Sequence, residues 1–242
     1  MLGGAKNIVY NIRQCFFDII FPKHCLDCGQ EGEYWCKSCR AKIILTWPKI
    51  CFNCKKDNII FGLCDQCRPL YYFDGVVCVY DYENKIISNL IQAYKYHFVK
   101  DLSLDLGLVV ARHLAKELVV SNNNFFSYFF NFVIMPVPLS HRRQNWRGFN
   151  QAEEIARVIA NYFGLQCNFS LKRLKHRSPQ AKLNQAKRLV NMKDCFIFEG
   201  KAPQKIILVD DVITTGATVN ECARVLKQAG AEEILVLTIA KG

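Results

Sequence analysis

The sequence predicts an α/β fold in which a parallel sheet, covered by helices, follows a small Cys-rich zinc module. Three observations predict it. From Asp74 onward, apolar runs with strand character alternate with segments of helical periodicity, the alternation that builds parallel sheets. The run Ile206-Ile207-Leu208-Val209 is apolar at every position, as expected of a strand buried on both faces. Ahead of these elements lie eight of the 13 cysteines, arranged as four Cys-x-x-Cys pairs, a spacing that suits a tetrahedral metal site.

Taken in order, three segments emerge. In residues 1–22, Ile8, Ile12, Phe16 and Ile19 recur at spacings of four, four and three before Pro22, which predicts an amphipathic helix over 5–20. Residues 23–72 carry the cysteine pairs, and residues 73–242 carry the alternating elements. Within the last segment, strands are expected at Val76–Tyr80, Phe132–Val137, Lys205–Val209 and Ile234–Ile239. Helices are expected at Lys85–Tyr96, Leu102–Val120, Gln151–Phe163 and Thr218–Ala229. Gly164 and Gly230 follow the last two helices and supply their C-terminal stops.

The pairs are Cys25/Cys28, Cys36/Cys39, Cys51/Cys54 and Cys64/Cys67. Two thiolates two residues apart can reach one ion, and two such pairs complete a closed Zn2+ site. Seven residues separate the first two pairs and nine the last two. Those lengths allow two sequential sites, although pairing first with third and second with fourth is also possible, and one or two zinc ions are expected. Residues 20–75 hold few long apolar runs, so a metal worth on the order of 10–16 kcal/mol in small peptides would organise them. Cys15, Cys78, Cys167, Cys195 and Cys222 stand alone and read as small buried apolar residues. His24, beside Cys25, is an alternative ligand.

With 242 residues, 51% hydrophobic and 22% charged, the chain has the composition of a folded protein, which excludes disordered and fibrous classes. It lacks an uninterrupted apolar run long enough to span a bilayer and a cationic N-terminus leading into a secretory signal, so a cytoplasmic location is expected. The formal net charge of +11 is concentrated: twelve Lys and Arg lie between Ser140 and Lys193, against Glu153 and Glu154 alone. Such a block points to a polyanionic partner, either a phosphorylated small molecule or a nucleic acid.

The stretch from Ile206 to Thr218, IILVDDVITTGAT, carries the most chemistry. A buried strand delivers Asp210 and Asp211 to its carboxyl edge, and a hydroxyl-rich turn then opens a helix. Free N–H groups at a helix start, a glycine permitting close approach and threonine hydroxyls suit a phosphate. Paired acids suit hydroxyls or hydrated Mg2+ instead. Together they suggest a ribose 5-phosphate. The chain lacks G-x-G-x-x-G and a Walker loop.

This stretch resembles the phosphoribosyl pyrophosphate (PRPP) signature of type I phosphoribosyltransferases. Joined to the four N-terminal cysteine pairs, it makes the chain similar to the ComF/GntX family of competence-associated proteins over residues 15–241. Tyr94-Lys95-Tyr96, Pro136-Val137-Pro138-Leu139 with Arg147-Gly148-Phe149-Asn150-Gln151, and Pro179-Gln180 through Leu183 to Arg188, Asn191 and Phe196 fit that family, with Arg177 a departure from its pattern. The resemblance implies a type I phosphoribosyltransferase-like domain. In it, Asp210 and Asp211 hold the ribose hydroxyls with Mg2+, and Thr214, Thr215, Gly216, Ala217 and Thr218 wrap the 5′-phosphate. Arg142, Arg143 and Arg147 face the pyrophosphate, Arg147 and Arg188 are the candidates for catalysis, and residues 172–190 form a mobile loop. It also implies a role in DNA uptake and natural transformation, on single-stranded DNA, with a helicase-like ATPase and a recombination mediator loader as partners. Transfer of phosphoribose to a nitrogen acceptor is the alternative activity.

Overall fold

A computed structural model describes residues 22–43, 50–57, 62–96, 99–120, 129–174 and 194–242. The helix expected over 5–20, Cys15, Arg188 and most of the 172–190 loop lie outside the described residues. The chain divides into two units, Met1–Ile44 and Leu45–Gly242, and the division falls between the second and third cysteine pairs.

In the smaller unit, a single bridge joins His24 to Glu31, and a short helix α1 spans Lys37–Ala41. Its apolar centre is Trp35, fully buried. Arg40 lies over the indole, 5.0 Å from its centroid, and donates to the Trp35 carbonyl at 2.9 Å.

The larger unit is built on four parallel strands: β1 (Gly75–Asp81), β2 (Val133–Pro136), β5 (Lys205–Ile213) and β6 (Glu233–Lys241), ordered β1-β6-β5-β2. A parallel bridge between Ile134 and Cys167 extends the β2 edge. A two-stranded antiparallel ribbon, β3 (Lys172–Arg173) and β4 (Phe196–Ile197), stands apart from the sheet. The interior of β6 is buried from Ile234 through Ala240, so its side chains are covered on both faces, as the apolar runs predict. Among the described residues the unit also holds helices α2 (Lys85–Tyr96), α3 (Leu102–Val120), α4 (His141–Arg147), α5 (Gln151–Phe163) and α6 (Ala217–Gln228).

Local chemistry sets the helix limits. Asn150 caps α5 by accepting from the Ala152 N–H at 3.2 Å, and Gly164 ends it in the left-handed conformation at φ 67°. Three helices keep the bounds expected from periodicity. The short helix α4 and the ribbon do not show in the hydrophobic pattern, because one is two turns of polar residues and the other two residues per strand.

Helices α3 and α5 pack together, and Gly107 sets how closely. A Cβ at this position would sit 2.7 Å from the Val158 side chain, well inside van der Waals contact. We therefore expect Gly107→Val to cost about 1–3 kcal/mol of stability through overpacking. Val158→Ala in the same chain should restore part of the loss, as read from urea unfolding midpoints.

Candidate functional site

The strand carrying the two acids runs further than its apolar stretch suggests. Strand β5 was expected to end at Val209, yet β6 continues to Lys241 and offers ladder partners to Asp210, Val212 and Ile213. On the other side, β2 stops at Pro136, opposite Val209. Asp210 and Asp211 thus lie beyond the last β2 partner, at the carboxyl end of the sheet, where ligands bind in open α/β folds.

A cleft of about 380 Å3 opens there. Its lining joins Asp210 and Asp211 to Lys95, Arg143, Arg147 and Arg173. Lys95 Nζ lies 2.8 Å from Asp211 Oδ1, and the Asp211 N–H donates to Asp210 Oδ1 at 2.8 Å. Burial of the carboxyl group pushes Asp210 up to about 7, with the Asp211 charge adding to the shift and Lys95 opposing it. One acid is therefore paired with a cation, while its neighbour is held near neutrality and faces the opening.

Arg147 is 7% exposed. Its Nη1 donates to Gln151 Oε1 at 2.9 Å, and its guanidinium lies over the Tyr96 ring at 5.3 Å. Arg147 Nε and Gln151 Nε2 find no hydrogen-bond partner among the described residues. A buried guanidinium with an unused donor, on the wall of an open cleft, is suited to an anion.

The turn between β5 and α6 offers a second anion-binding element. Gly216 is the N-terminal cap of α6 at φ 75° and brings no side chain to cap it, which leaves first-turn N–H groups for a ligand. Thr215 Oγ1 accepts from the Ala217 N–H at 3.4 Å. Thr218 lines the cleft, whereas Thr214, Thr215, Gly216 and Ala217 are outside its lining, as is Arg142. Arg142 is exposed on α4.

Several site residues were not singled out by the sequence motif. In Tyr94-Lys95-Tyr96, the buried Tyr94 donates from its hydroxyl to the Gln151 carbonyl at 2.9 Å, Lys95 pairs with Asp211, and Tyr96 packs on Trp146. Asn150 donates to the Val137 carbonyl at 3.1 Å, tying the start of α5 to the loop after β2. Arg173, from the basic block, reaches the cleft from the ribbon. A neighbouring hollow of about 440 Å3 shares Pro138, Leu139, Asn150 and Arg173 with the cleft and adds Phe169, Leu174 and Ile197.

The eight paired cysteines form two clusters in chain order: Cys25, Cys28, Cys36 and Cys39, then Cys51, Cys54, Cys64 and Cys67, with all ligand atoms of a cluster within 4.8 Å of one another. Cross-braced pairing is excluded. Each knuckle closes with the same backbone bond, four residues back: Gly29 to Cys25, Arg40 to Cys36, Lys55 to Cys51 and Arg68 to Cys64. Each cluster can hold a metal ion such as zinc in a closed set of four sulfurs. His24 is not among either set, and its Nδ1 lies 3.3 Å from the Gly29 carbonyl.

The second cluster is part of the wall behind the turn between β5 and α6. Cys51, Cys64 and Cys67 share one apolar core with Val219, Cys222 and Leu226 of α6. A Cβ on Gly216 would lie 3.4 Å from the Phe52 ring, and the Tyr72 N–H donates to Asn220 Oδ1 at 2.7 Å. Of the isolated thiols described, Cys195 and Cys222 are buried as expected, whereas Cys78 and Cys167 are only partly buried, and desolvation pushes both up to about 11.

The parallel sheet, the acid pair at its carboxyl end and the threonine-rich turn define a type I phosphoribosyltransferase-like domain. The family model described as "Phosphoribosyl transferase domain" matches residues 103–242. The chain is 30% identical over 234 residues to "Competence protein F" of Haemophilus influenzae, covering 86% of this chain and 97% of that protein. It is 28% identical over 238 residues to "Competence protein ComFC" of Streptococcus pneumoniae, covering 90% and 99%. A shorter match, 32% over 110 residues, covers 45% of this chain and 48% of "DNA utilization protein YhgH" of Escherichia coli. The chain belongs to the ComF family.

Two outcomes follow from this geometry. Native Asp210 keeps its proton to about 7, against an ordinary value of 3.8, so the folded chain binds more protons between those limits and loses stability as pH rises through them. Without ligand, Asp210→Asn should melt above the parent at pH 8, with the advantage gone below about pH 4. Chelation of the second cluster should raise amide exchange in 214–220 as well as in 51–67. Exchange confined to 51–67 would show that the turn stands without it.

Proposed function

We propose that the protein binds PRPP with Mg2+ in this cleft and acts in DNA uptake and natural transformation in the cytoplasm. The single observation that carries the ligand assignment is the meeting of opposite requirements at one end of the sheet. The acids at the end of β5 suit sugar hydroxyls, while Arg147 and the uncapped start of α6 suit the phosphates at the two ends of the molecule. In this reading Asp210 and Asp211 take the ribose hydroxyls, and Thr214, Thr215, Gly216, Ala217 and Thr218 take the 5′-phosphate. Arg143 and Arg147 take the pyrophosphate, with Arg142 nearby. Mg2+, when bound, neutralises the pyrophosphate. Each four-cysteine cluster takes one structural zinc, and the open positions that catalytic zinc needs are absent from a four-sulfur set.

The names of the relatives, competence and DNA utilization proteins, together with the basic block, support action on internalised single-stranded DNA. A helicase-like ATPase and a recombination mediator loader are the partners we propose. Among the described residues, no helix is long and apolar enough to cross a membrane.

A second reading, transfer of phosphoribose to a nitrogen nucleophile, is favoured by the 440 Å3 hollow that adjoins the cleft and has room for an acceptor. The nucleophile would form a bond to C1′ as the bond to pyrophosphate breaks, and cations on the wall would stabilise the departing charge.

Calorimetry tests the first reading. PRPP with Mg2+ should bind the parent, and Asp210→Asn should bind roughly 10- to 150-fold more weakly, the loss of about 1.5–3 kcal/mol for a hydrogen bond to a charged group. Unchanged affinity would reject the ribose assignment. Pyrophosphate release with a defined amine would establish the second reading. Metal analysis should return one zinc per cluster.

A further inference from the structure

Gln151 lines the cleft although only 1% of it is exposed. It is the first residue of α5, and its backbone is held on both sides. The Tyr94 hydroxyl donates to its carbonyl at 2.9 Å, and Asn150, just ahead of it, caps the helix. Its side-chain Oε1 accepts from Arg147 Nη1 at 2.9 Å. A guanidinium only donates, so the amide oxygen must be the atom that faces it. That fixes the amide, and its Nε2 finds no partner among the described residues.

Arg147 is in the same situation. It is 7% exposed, and its Nε is also without a partner among the described residues. The contact with the Tyr96 ring at 5.3 Å does not consume that donor, because a cation over a ring engages the flat face of the guanidinium while its N–H groups lie in the plane. A buried donor without an acceptor carries its full desolvation cost, and folded proteins keep few of them. Two on the wall of one open cleft point to an acceptor that arrives with a ligand.

The surroundings select an anion. Lys95, Arg143, Arg147 and Arg173 line the cleft against Asp210 and Asp211, and Lys95 already matches Asp211 at 2.8 Å. The positive end of α5 borders the cleft through Asn150, Gln151 and Ala152, which favours negative charge there. The acids in the first turn of α5 are engaged elsewhere, Glu153 by Arg157 at 2.7 Å and Glu154 by Lys100 at 2.9 Å. Burial and the nearby Arg143 charge lower the Arg173 pKa, so these cations are crowded, and a neutral amide adds a donor without adding repulsion.

We propose that Gln151 is a specificity-determining residue of the cleft, whose side-chain amide donates a hydrogen bond to an oxygen of the ligand's pyrophosphate on the wall it shares with Arg147. The inference rests on the PRPP reading above and adds a residue to it. Gln151 then has two roles: its oxygen orients the arginine, and its nitrogen meets the ligand.

Calorimetry on the full chain separates these roles, with PRPP and Mg2+ as one probe and inorganic pyrophosphate and Mg2+ as the other. Gln151→Met keeps the length of the side chain and removes both polar atoms. Gln151→Glu keeps an acceptor for Arg147 and replaces the donor with a second acceptor. Gln151→Met should weaken both probes roughly 10- to 150-fold, the range for one hydrogen bond to a charged group. Gln151→Glu should bind both more weakly still, yet melt no lower than the parent without ligand, since it exchanges an unpaired amide for an ion pair to Arg147. Parent-like affinity in Gln151→Glu would show that Gln151 only orients the arginine. That result, or unchanged pyrophosphate affinity in Gln151→Met, would overturn the proposal while the PRPP reading stood. A parent that binds pyrophosphate but not PRPP would overturn the PRPP reading, with the role of Gln151 decided on pyrophosphate alone. A parent that binds neither would overturn both.

Discussion

Two carboxylates on consecutive residues at the buried end of one strand repel each other and resist desolvation. The ion pair from Lys95 to Asp211 is the interaction that makes their placement tolerable, and much of the site is arranged to deliver it. Lys95 arrives on the last turn of α2, which the Tyr94 hydroxyl fixes to the first residue of α5. That residue, Gln151, orients Arg147, whose guanidinium covers the ring of Tyr96. Three successive residues of one helix thus reach the Gln151 carbonyl, Asp211 and Arg147. Burial holds the Asp210 proton high and the Asp211 charge adds to it, against the pull of Lys95 and Arg173.

What the sequence made legible was whatever repeats or clusters along the chain. Helix periodicity marked α2, α3 and α5 to the residue, and α5 stops at the glycine that the sequence supplies. The apolar run marked β5 but not its last four residues, since Asp210 to Ile213 are strand only because β6 continues beside them. Asp210 and Asp211 were visible as a local motif. Lys95 was visible only as part of a family segment, for its role depends on a partner 116 positions away in the sequence, and no local pattern encodes that contact. Cysteine spacing announced the metal sites, yet the choice between sequential and crossed pairing needed the fold.

The two cysteine clusters share a knuckle geometry and differ in their setting. The first belongs to the smaller unit, with Trp35 as its large buried side chain. The second belongs to the unit that holds the sheet, and its sulfurs are packed among residues of α6. A metal here would do more than fold its own loop, because Phe52, one residue after Cys51, touches the turn at Gly216. Positive φ at Gly216 restricts that position to glycine, and a Cβ there would meet the Phe52 ring at van der Waals distance, 3.4 Å.

That shared wall ties thiol chemistry to the turn between β5 and α6. Oxidants that join sulfurs of the second cluster would remodel the backing of that turn, so oxidative damage would register inside the sheet-bearing unit rather than as a detached appendage. The basic face of α4, carried on a separate helix and capped by Ser140 and Gly148, has no such dependence. Its conformation would therefore outlast such damage to the turn.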